Sequence, residues 1–332
     1  MVRKNDKGDF VSPSKWLMAL ASCAVVALGV AACGSDDNDT TGGGGGNLSG
    51  TINIDGSSTV FPLTQAAAEG FQGENPNVKI TVGESGTGGG FEKFCAGETE
   101  ISDASRPIEP EEVAACKKKG ITYDDFQVAN DGISVTTNPS LDISCLSTDQ
   151  LKQLWNKGSK VSDYSQLGKD ADSGKPLPSA SVSLYGPDTD SGTFDFFTDV
   201  INGEEDVSRS DYQPSADDNV LVEGVSGDSD GLGYFGFSYY QQNTDKLNLV
   251  SVDSGKGCVA PSAKTIQDGS YAPLSRPLFI YPSKSALNKP EVTAFVKYYL
   301  DNYQQIADTA QLVGMTSEQA SKSQDAFAKV SG

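Results

Sequence analysis

Four short stretches concentrate hydroxyls, glycines and charge in a 332-residue chain that contains no histidine. Asp55-Gly56-Ser57-Ser58-Thr59-Val60-Phe61-Pro62 and Gly83-Glu84-Ser85-Gly86-Thr87-Gly88-Gly89-Gly90 each lead from a strand-like run into a helical pattern. Asp188-Thr189-Asp190-Ser191-Gly192-Thr193 opens a third helix, and Ile101-Ser102-Asp103-Ala104-Ser105-Arg106-Pro107-Ile108 adds an acid and an arginine three positions apart. A helix start offers unpaired N–H groups and the positive end of a dipole, and both favour an anion. Glycine allows close backbone approach, while Ser and Thr hydroxyls donate. One such turn is an ordinary N-cap; three in one chain point to a cradle built from several elements. Arg106 would donate to the bound oxyanion. An ionised Asp103 can only accept, so it would welcome an oxyanion that carries a proton, as phosphate does at neutral pH, and refuse sulfate, which carries none. The plainer reading of the same pair is a loop ion pair contributing about 0–1 kcal/mol.

Other chemistries fit these residues less well. Asp190-Ser191-Gly192-Thr193 looks like an aspartic-protease fingerprint, and Asp253-Ser254-Gly255 offers a second DSG. A proteolytic pair needs two carboxylates close enough to share a proton on apolar-flanked loops, whereas Asp190 follows Pro187-Asp188-Thr189. Asp188-Thr189-Asp190-Ser191-Gly192 opens like a calcium loop but has glycine fifth and no later glutamate in place. Without histidine, Ser-His-Asp and Cys-His nucleophiles are impossible and the usual zinc sites are disfavoured. The expectation is a binding protein, not an enzyme, with no metal and no cofactor.

The elements that must hold these turns alternate between strand and helix. TINID (51–55), VKITVGE (78–84), GISVTTNP (132–139), VSLYG (182–186), GLGYFGF, LNLVSVD and RPLFIYP (276–282) read as strands. Between them fall helical patterns at 61–72, around FEKFC, over EPEEVAACKKKG, over STDQLKQLWN and from about 192 to 201, with a helical end. This alternation predicts α/β layers with mainly parallel sheets. YFGFSYY (234–240) and VKYYLDNY (296–303) are expected to fill cores.

The first thirty-two residues read as an address. Arg3, Lys4, Lys7 and Lys15 precede an apolar run from Trp16 to Ala32, and Val30-Ala31-Ala32-Cys33 is a lipoprotein cleavage pattern. Leu20-Ala21-Ser22-Cys23 also fits, but cutting there would leave an apolar stub. Lipidated Cys33 would anchor the protein to the membrane through a Gly-rich tether over 33–49. The formal net charge of −20 argues against nucleic acid and for a soluble domain outside the cell, while it sits oddly with an anion ligand. The other four cysteines, Cys95, Cys116, Cys145 and Cys258, allow three disulfide connectivities. Cys95–Cys116, flanking one short stretch, with Cys145–Cys258 by elimination, is the expected one.

GSSTVFPL, GESGTGGGF, SDASRPI, GPDTDSGTFDFF, DGLGYFGFSYY and APLSRPLFIY occur in that order, and the chain from about 50 to 330 thereby resembles the phosphate-binding proteins of phosphate ABC transporters, the PstS family. The resemblance implies a two-lobed type II periplasmic-binding-protein fold with the ligand cleft between lobes. One lobe would take 50–138 plus 275–332 and the other 139–274, with crossings near 137–139 and 271–277. It further implies that Ser58, Thr59, the Val60 N–H, Ser85, Asp103, Ser191, Gly192 and Thr193 hold inorganic phosphate. Where some members carry an arginine four residues before the serine of Ser-Gly-Thr, this chain has Pro187, and Arg106 is the candidate replacement. The implied role is high-affinity phosphate capture by an exported, lipid-anchored monomer that docks on ABC permease subunits. Capture of another tetrahedral oxyanion, or a sensing or adhesive role at the surface, would use the same scaffold.

Overall fold

A computed structural model describes residues 48–331; the leader, Cys23, Cys33 and nearly all of the 33–49 tether lie outside the described residues. Eleven strands form one curled sheet: β1 (Gly50–Gly56), β2 (Val78–Val82), β3 (Ile101–Ala104), β4 (Phe126–Thr137), β5 (Cys145–Ser147), β6 (Ser183–Pro187), β7 (Gln213–Ser215), β8 (Gly231–Gly236), β9 (Asn248–Asp253), β10 (Cys258–Val259) and β11 (Ser275–Pro282). The main path runs β2-β1-β3-β11-β4-β8-β6-β7, with β9 branching from β4 to β5 and β10. The helices that bear on the site are α1 (Phe61–Glu74), α2 (Gly86–Ala96), α3 (Pro110–Lys119), α4 (Thr148–Trp155) and α5 (Gly192–Phe197).

The sheet is less parallel than the strand–helix alternation predicts. Five of its ten strand pairings are parallel (β1 with β2 and β3, β5 with β9, β6 with β7 and β8). The other five are antiparallel, four of them made by β4 or β11. The reason is connectivity: β11 re-enters the first half of the sheet only after the second half is complete, and it runs against both β3 and β4.

Two large apolar cores sit along this sheet. Ile52, Leu63, Phe71, Val128, Leu278 and Phe295 belong to the first, and Ile133, Leu151, Trp155, Phe197, Tyr234 and Tyr271 to the second. Along β4 the change of core falls between Ala129 and Ile133, and in the returning chain between Leu274 and Leu278. The two strands therefore pass from one core to the other side by side.

Local signals explain the helix limits. In α3, Glu109 and Glu112 form a reciprocal capping box, acids fill the first turn, lysines the last, and Gly120 closes it at φ 75°. Two expectations fall short of the structure: β4 starts at Phe126 rather than Gly132, and the strand read over GLGYFGF stops at Gly236, with Phe237–Gln241 helical. Both disulfides are as expected, Cys95–Cys116 tying α2 to α3 and Cys145–Cys258 tying β5 to β10. Among the described residues no helix is long and apolar enough to cross a membrane.

Candidate functional site: a cleft around Arg276

The three hydroxyl-rich turns arrive where the two cores meet. Ser57-Ser58-Thr59 follows β1 and leads into α1, whose start is fixed by Phe61 N–H and Val60 N–H donating to Ser57 O at 2.9 and 3.1 Å. Ser85 stands at the head of α2, and Ser191 at the head of α5, where its Oγ accepts from Thr193 N–H. Glycine permits these elements to approach closely, as two positions show. A Cβ on Gly90 would lie 2.4 Å from Gly56 Cα, so glycine lets α2 press on the end of β1. A Cβ on Gly192 would meet Thr59 Oγ1 at 2.4 Å and Ser58 Oγ at 2.6 Å, so α5 can start against α1 only with glycine there.

Ser58, Thr59, Ser85, Arg106 and Gly192 line one cleft of about 470 Å³, with Ser105, Asp195, Phe196 and Arg276. Ser191 and Thr193 face a neighbouring cavity that shares Ser58, Thr59 and Gly192 with the cleft. Val60 and Asp103 are buried and line neither cavity. The Val60 N–H is committed to Ser57 O, and Ser85 commits both its hydroxyl (2.5 Å) and its N–H (3.1 Å) to Asp55, which Lys93 also holds.

Asp103 lies in β3 with both carboxylate oxygens unpartnered. Burial is the main force pushing its pKa up to about 8; nearby Thr64 opposes the shift without making a hydrogen bond of normal geometry, and Asp55 adds to it. Arg106 is occupied as well. Its Nη1 and Nη2 donate to the two oxygens of Glu112 at 2.9 and 2.8 Å, and Glu109 lies 3.4 Å from its Nε. It reaches the cleft wall already neutralised by the start of α3.

The cation at the centre is Arg276 of β11. The antiparallel register sets it opposite Asp131 of β4, and its Nε donates to Asp131 Oδ2 at 3.3 Å. Nη1 donates to Ser105 Oγ at 3.0 Å, while Nη2 donates to Thr59 Oγ1 at 2.7 Å and to Gly192 O at 3.3 Å. The guanidinium lies 3.8 Å over the Phe196 ring. Burial pulls its pKa down and Asp131 opposes, yet an arginine keeps its charge in such surroundings. One side chain thus touches elements of both cores. Sequence reasoning missed it by choosing one of two equal signals: Ser-Arg-Pro occurs at 105–107 and again at 275–277. Only the strand register tells which arginine is turned inward.

The two DSG aspartates do not form a pair. Asp190 is exposed beside the second cavity, while Asp253 lies on β9 and caps the N–H groups of Gly255 and Gly257.

The pattern of the PBP superfamily domain matches residues 41–302. The phosphate-binding protein PstS of Staphylococcus saprophyticus is 39% identical over 323 residues, which covers 95% of this chain and 96% of that one. The chain belongs to the PstS family of the PBP superfamily. This PstS-family chain is also 44% identical to protein SphX of Synechococcus elongatus over 254 residues, 76% of its own length and 73% of that relative's. Among solved structures, a possible phosphate binding protein from Planctomyces limnophilus superposes with a TM-score of 0.80 at 45% identity, over 85% of this chain and 99% of that one. An ABC-type phosphate transport receptor from Vibrio cholerae, at 17% identity and a TM-score of 0.61, shares the fold.

Proposed function

We propose that this PstS-family protein captures inorganic phosphate in the Arg276 cleft and hands it to the membrane permease of an ABC-type phosphate importer. The observation that carries the reading is Arg276 itself, a partly buried guanidinium surrounded by Thr59, Ser105 and the Gly192 carbonyl where both cores meet. Its preference for planar, multi-point contact suits a phosphate. Ser58, Thr59, Ser191, Gly192 and Thr193 would add hydroxyl and N–H donors, while Ser85 would do so only on leaving Asp55, and Arg106, paired with Glu112 and Glu109, would lie at the wall. Names shared by relatives that align along nearly the whole chain support phosphate as the ligand and uptake as the context. No step of covalent chemistry is assigned to the site.

The two cores would act as lobes, with the division expected near 137–139 lying earlier, between Ala129 and Ile133 of β4, and the other between Leu274 and Leu278, so that the hinge falls where β4 and β11 pass from core to core. Phosphate favours the closed arrangement because it contacts both sides only there. Export as a monomer and lipidation of Cys33 would place the domain on the outer face of the membrane. Two measurements test this reading: equilibrium dialysis of the chain from Gly34 onward against labelled phosphate, and phosphate uptake by cells with and without the protein. Retention of about one phosphate per chain, together with uptake that depends on the protein, is the expected outcome. A folded chain that retains none would refute it, and fatty-acid labelling lost in Cys33→Ser would establish the anchor.

A further inference from the structure

Behind the cleft, at the other end of the same strands, the surface changes character. β1 and β3 run parallel and deliver the cleft turns at their C-terminal ends, Ser57 after β1 and Ser105 after β3. Their starts form the opposite edge, where β11 ends with Pro282 beside Ile101 and Ser283 N–H donates to Glu100 O. Lys284 N–H donates to Thr122 O there, so the stretch that follows α3 lies on this edge too. Helix α3 runs from the Arg106 side of the cleft, past Glu112, to the same edge, where it ends in Lys117, Lys118 and Lys119. All three are exposed, and none joins an ion pair among the described residues. Lys284 and Lys289, by contrast, pair with Asp124 at 3.4 Å and with Glu100 at 2.8 Å. Glu98 and Asp125 are the exposed acids of the neighbouring segments.

A pocket of about 340 Å³ opens beside the lysines. Val113, Ile121 and Tyr123 give it an apolar lining, and Lys117 and Lys284 flank it. Val113 is one of three large apolar side chains left exposed among the described residues. It stands one turn before Lys117, so apolar surface and positive charge share one helix face. Lysines at a helix C-terminus suit the macrodipole. The dipole accounts for neither the exposed valine nor the pocket.

β1 itself begins on this edge, at Gly50. From Cys33 to Gly50 is 17 steps along the chain. A Gly-rich chain of that length extends at most about 60 Å and averages about 20–25 Å. An anchor at Cys33 would therefore keep the lysines close to lipid, where even a weak contact becomes effectively intramolecular. We infer that the α3 lysine edge is a contact surface for an anionic phospholipid membrane, which seats the anchored domain with its cleft facing outward. The inference rests on the lipid-anchor reading above. Lysine ammonium groups meet the lipid phosphates, while Val113 and Tyr123 enter the headgroup layer. The net charge of −20 opposes approach of the whole molecule, but at physiological salt charges beyond about 8 Å are screened. Seated in this way, the cleft is presented to incoming phosphate and turned from the membrane. Delivery to a permease then requires the edge to let go first.

The test couples the chain from Cys33 onward, with both disulfides formed, through the Cys33 thiol to vesicles of phosphatidylglycerol or of phosphatidylcholine at about 0.15 M salt. Acylation of each lysine by a water-soluble reagent is followed by mass spectrometry. Lys117, Lys118 and Lys119 should react about fivefold or more slowly on phosphatidylglycerol, while Lys256, between β9 and β10, reacts alike on both. Raising the salt to about 1 M should abolish the difference. The uncoupled chain from Gly34 onward should sediment with phosphatidylglycerol vesicles. Lys117→Gln, Lys118→Gln and Lys119→Gln together should lower that binding by about tenfold or more and leave phosphate affinity unchanged. Equal lysine reactivity on the two lipids overturns the inference, as does a folded triple variant that sediments like the parent. Because the coupling is chemical, these outcomes do not depend on lipidation in cells. Failure of the anchor reading would appear separately, as absent fatty-acid labelling of the cellular protein.

Discussion

At the scale of single residues, the site is a contest between charges that are spent and charges that are available. Arg106 is spent on Glu109 and Glu112, and Arg276 is spread over contacts from both cores. Arg276→Lys keeps the charge but loses the planar fork. It should weaken phosphate binding by about 10- to 100-fold while Arg106→Lys changes it less, as read by dialysis. Equal effects from the two substitutions would mean that the register of β11 does not decide which arginine serves. Asp103 gives a second prediction. Its folded pKa of about 8 stands far above its ordinary 3.8, so the folded protein holds a proton that the unfolded chain releases. The resulting stability is present below about pH 4 and is lost as pH rises through about 8. Asp103→Asn should remove that slope, so its melting temperature gains on the parent between pH 5 and pH 8. Parallel melting profiles would show that the carboxylate titrates alike in both states.

At the scale of elements, what the sequence made legible is local and what it hid depends on distant pairing. The turns before α1, α2 and α5 are readable because glycine, serine and threonine serve a helix start whatever the tertiary context. The helix of EPEEVAACKKKG is readable from its acids, lysines and Gly120. The antiparallel half of the sheet was not readable, because Arg276 faces Asp131 only through the pairing of strands 145 residues apart. Likewise Phe126–Asp131 shows no clear two-residue period, being buried on both faces of the central strand. Two predictions belong at this scale. Gly192→Ala should push α5 away from Thr59 and cut phosphate affinity by about tenfold or more, with thermal stability nearly unchanged, because the conflict lies at the edge of the cleft. Wild-type affinity would show that the close approach is dispensable. Replacing Cys145 and Cys258 by serine removes a bridge spanning 113 residues and should cost about 3–5 kcal/mol. Denaturant unfolding measures this, and a loss no larger than that from opening the 21-residue Cys95–Cys116 link would contradict the loop-entropy account.

At the scale of the whole molecule, a net charge of −20 surrounds a site built for an anion. The two are compatible because salt screens charges beyond about 8 Å, whereas in the proposed site Arg276 and the hydroxyls would act at contact. The penalty belongs to the approach of the ligand, so the association rate should rise with added inert salt while equilibrium affinity moves less. An association rate that falls with salt would indicate local steering by the arginines instead. The central claim is that one phosphate is held where the two cores meet, with Arg276 at its centre. Its most direct test is titration calorimetry of the chain from Gly34 onward, freed of prior ligand, with phosphate and then sulfate near pH 8, beside Arg276→Lys. Saturable one-to-one heat with phosphate, little with sulfate and a sharply weakened response in the variant are the predicted result. Silence with phosphate from the folded parent, or full binding by the Arg276 variant, would contradict it.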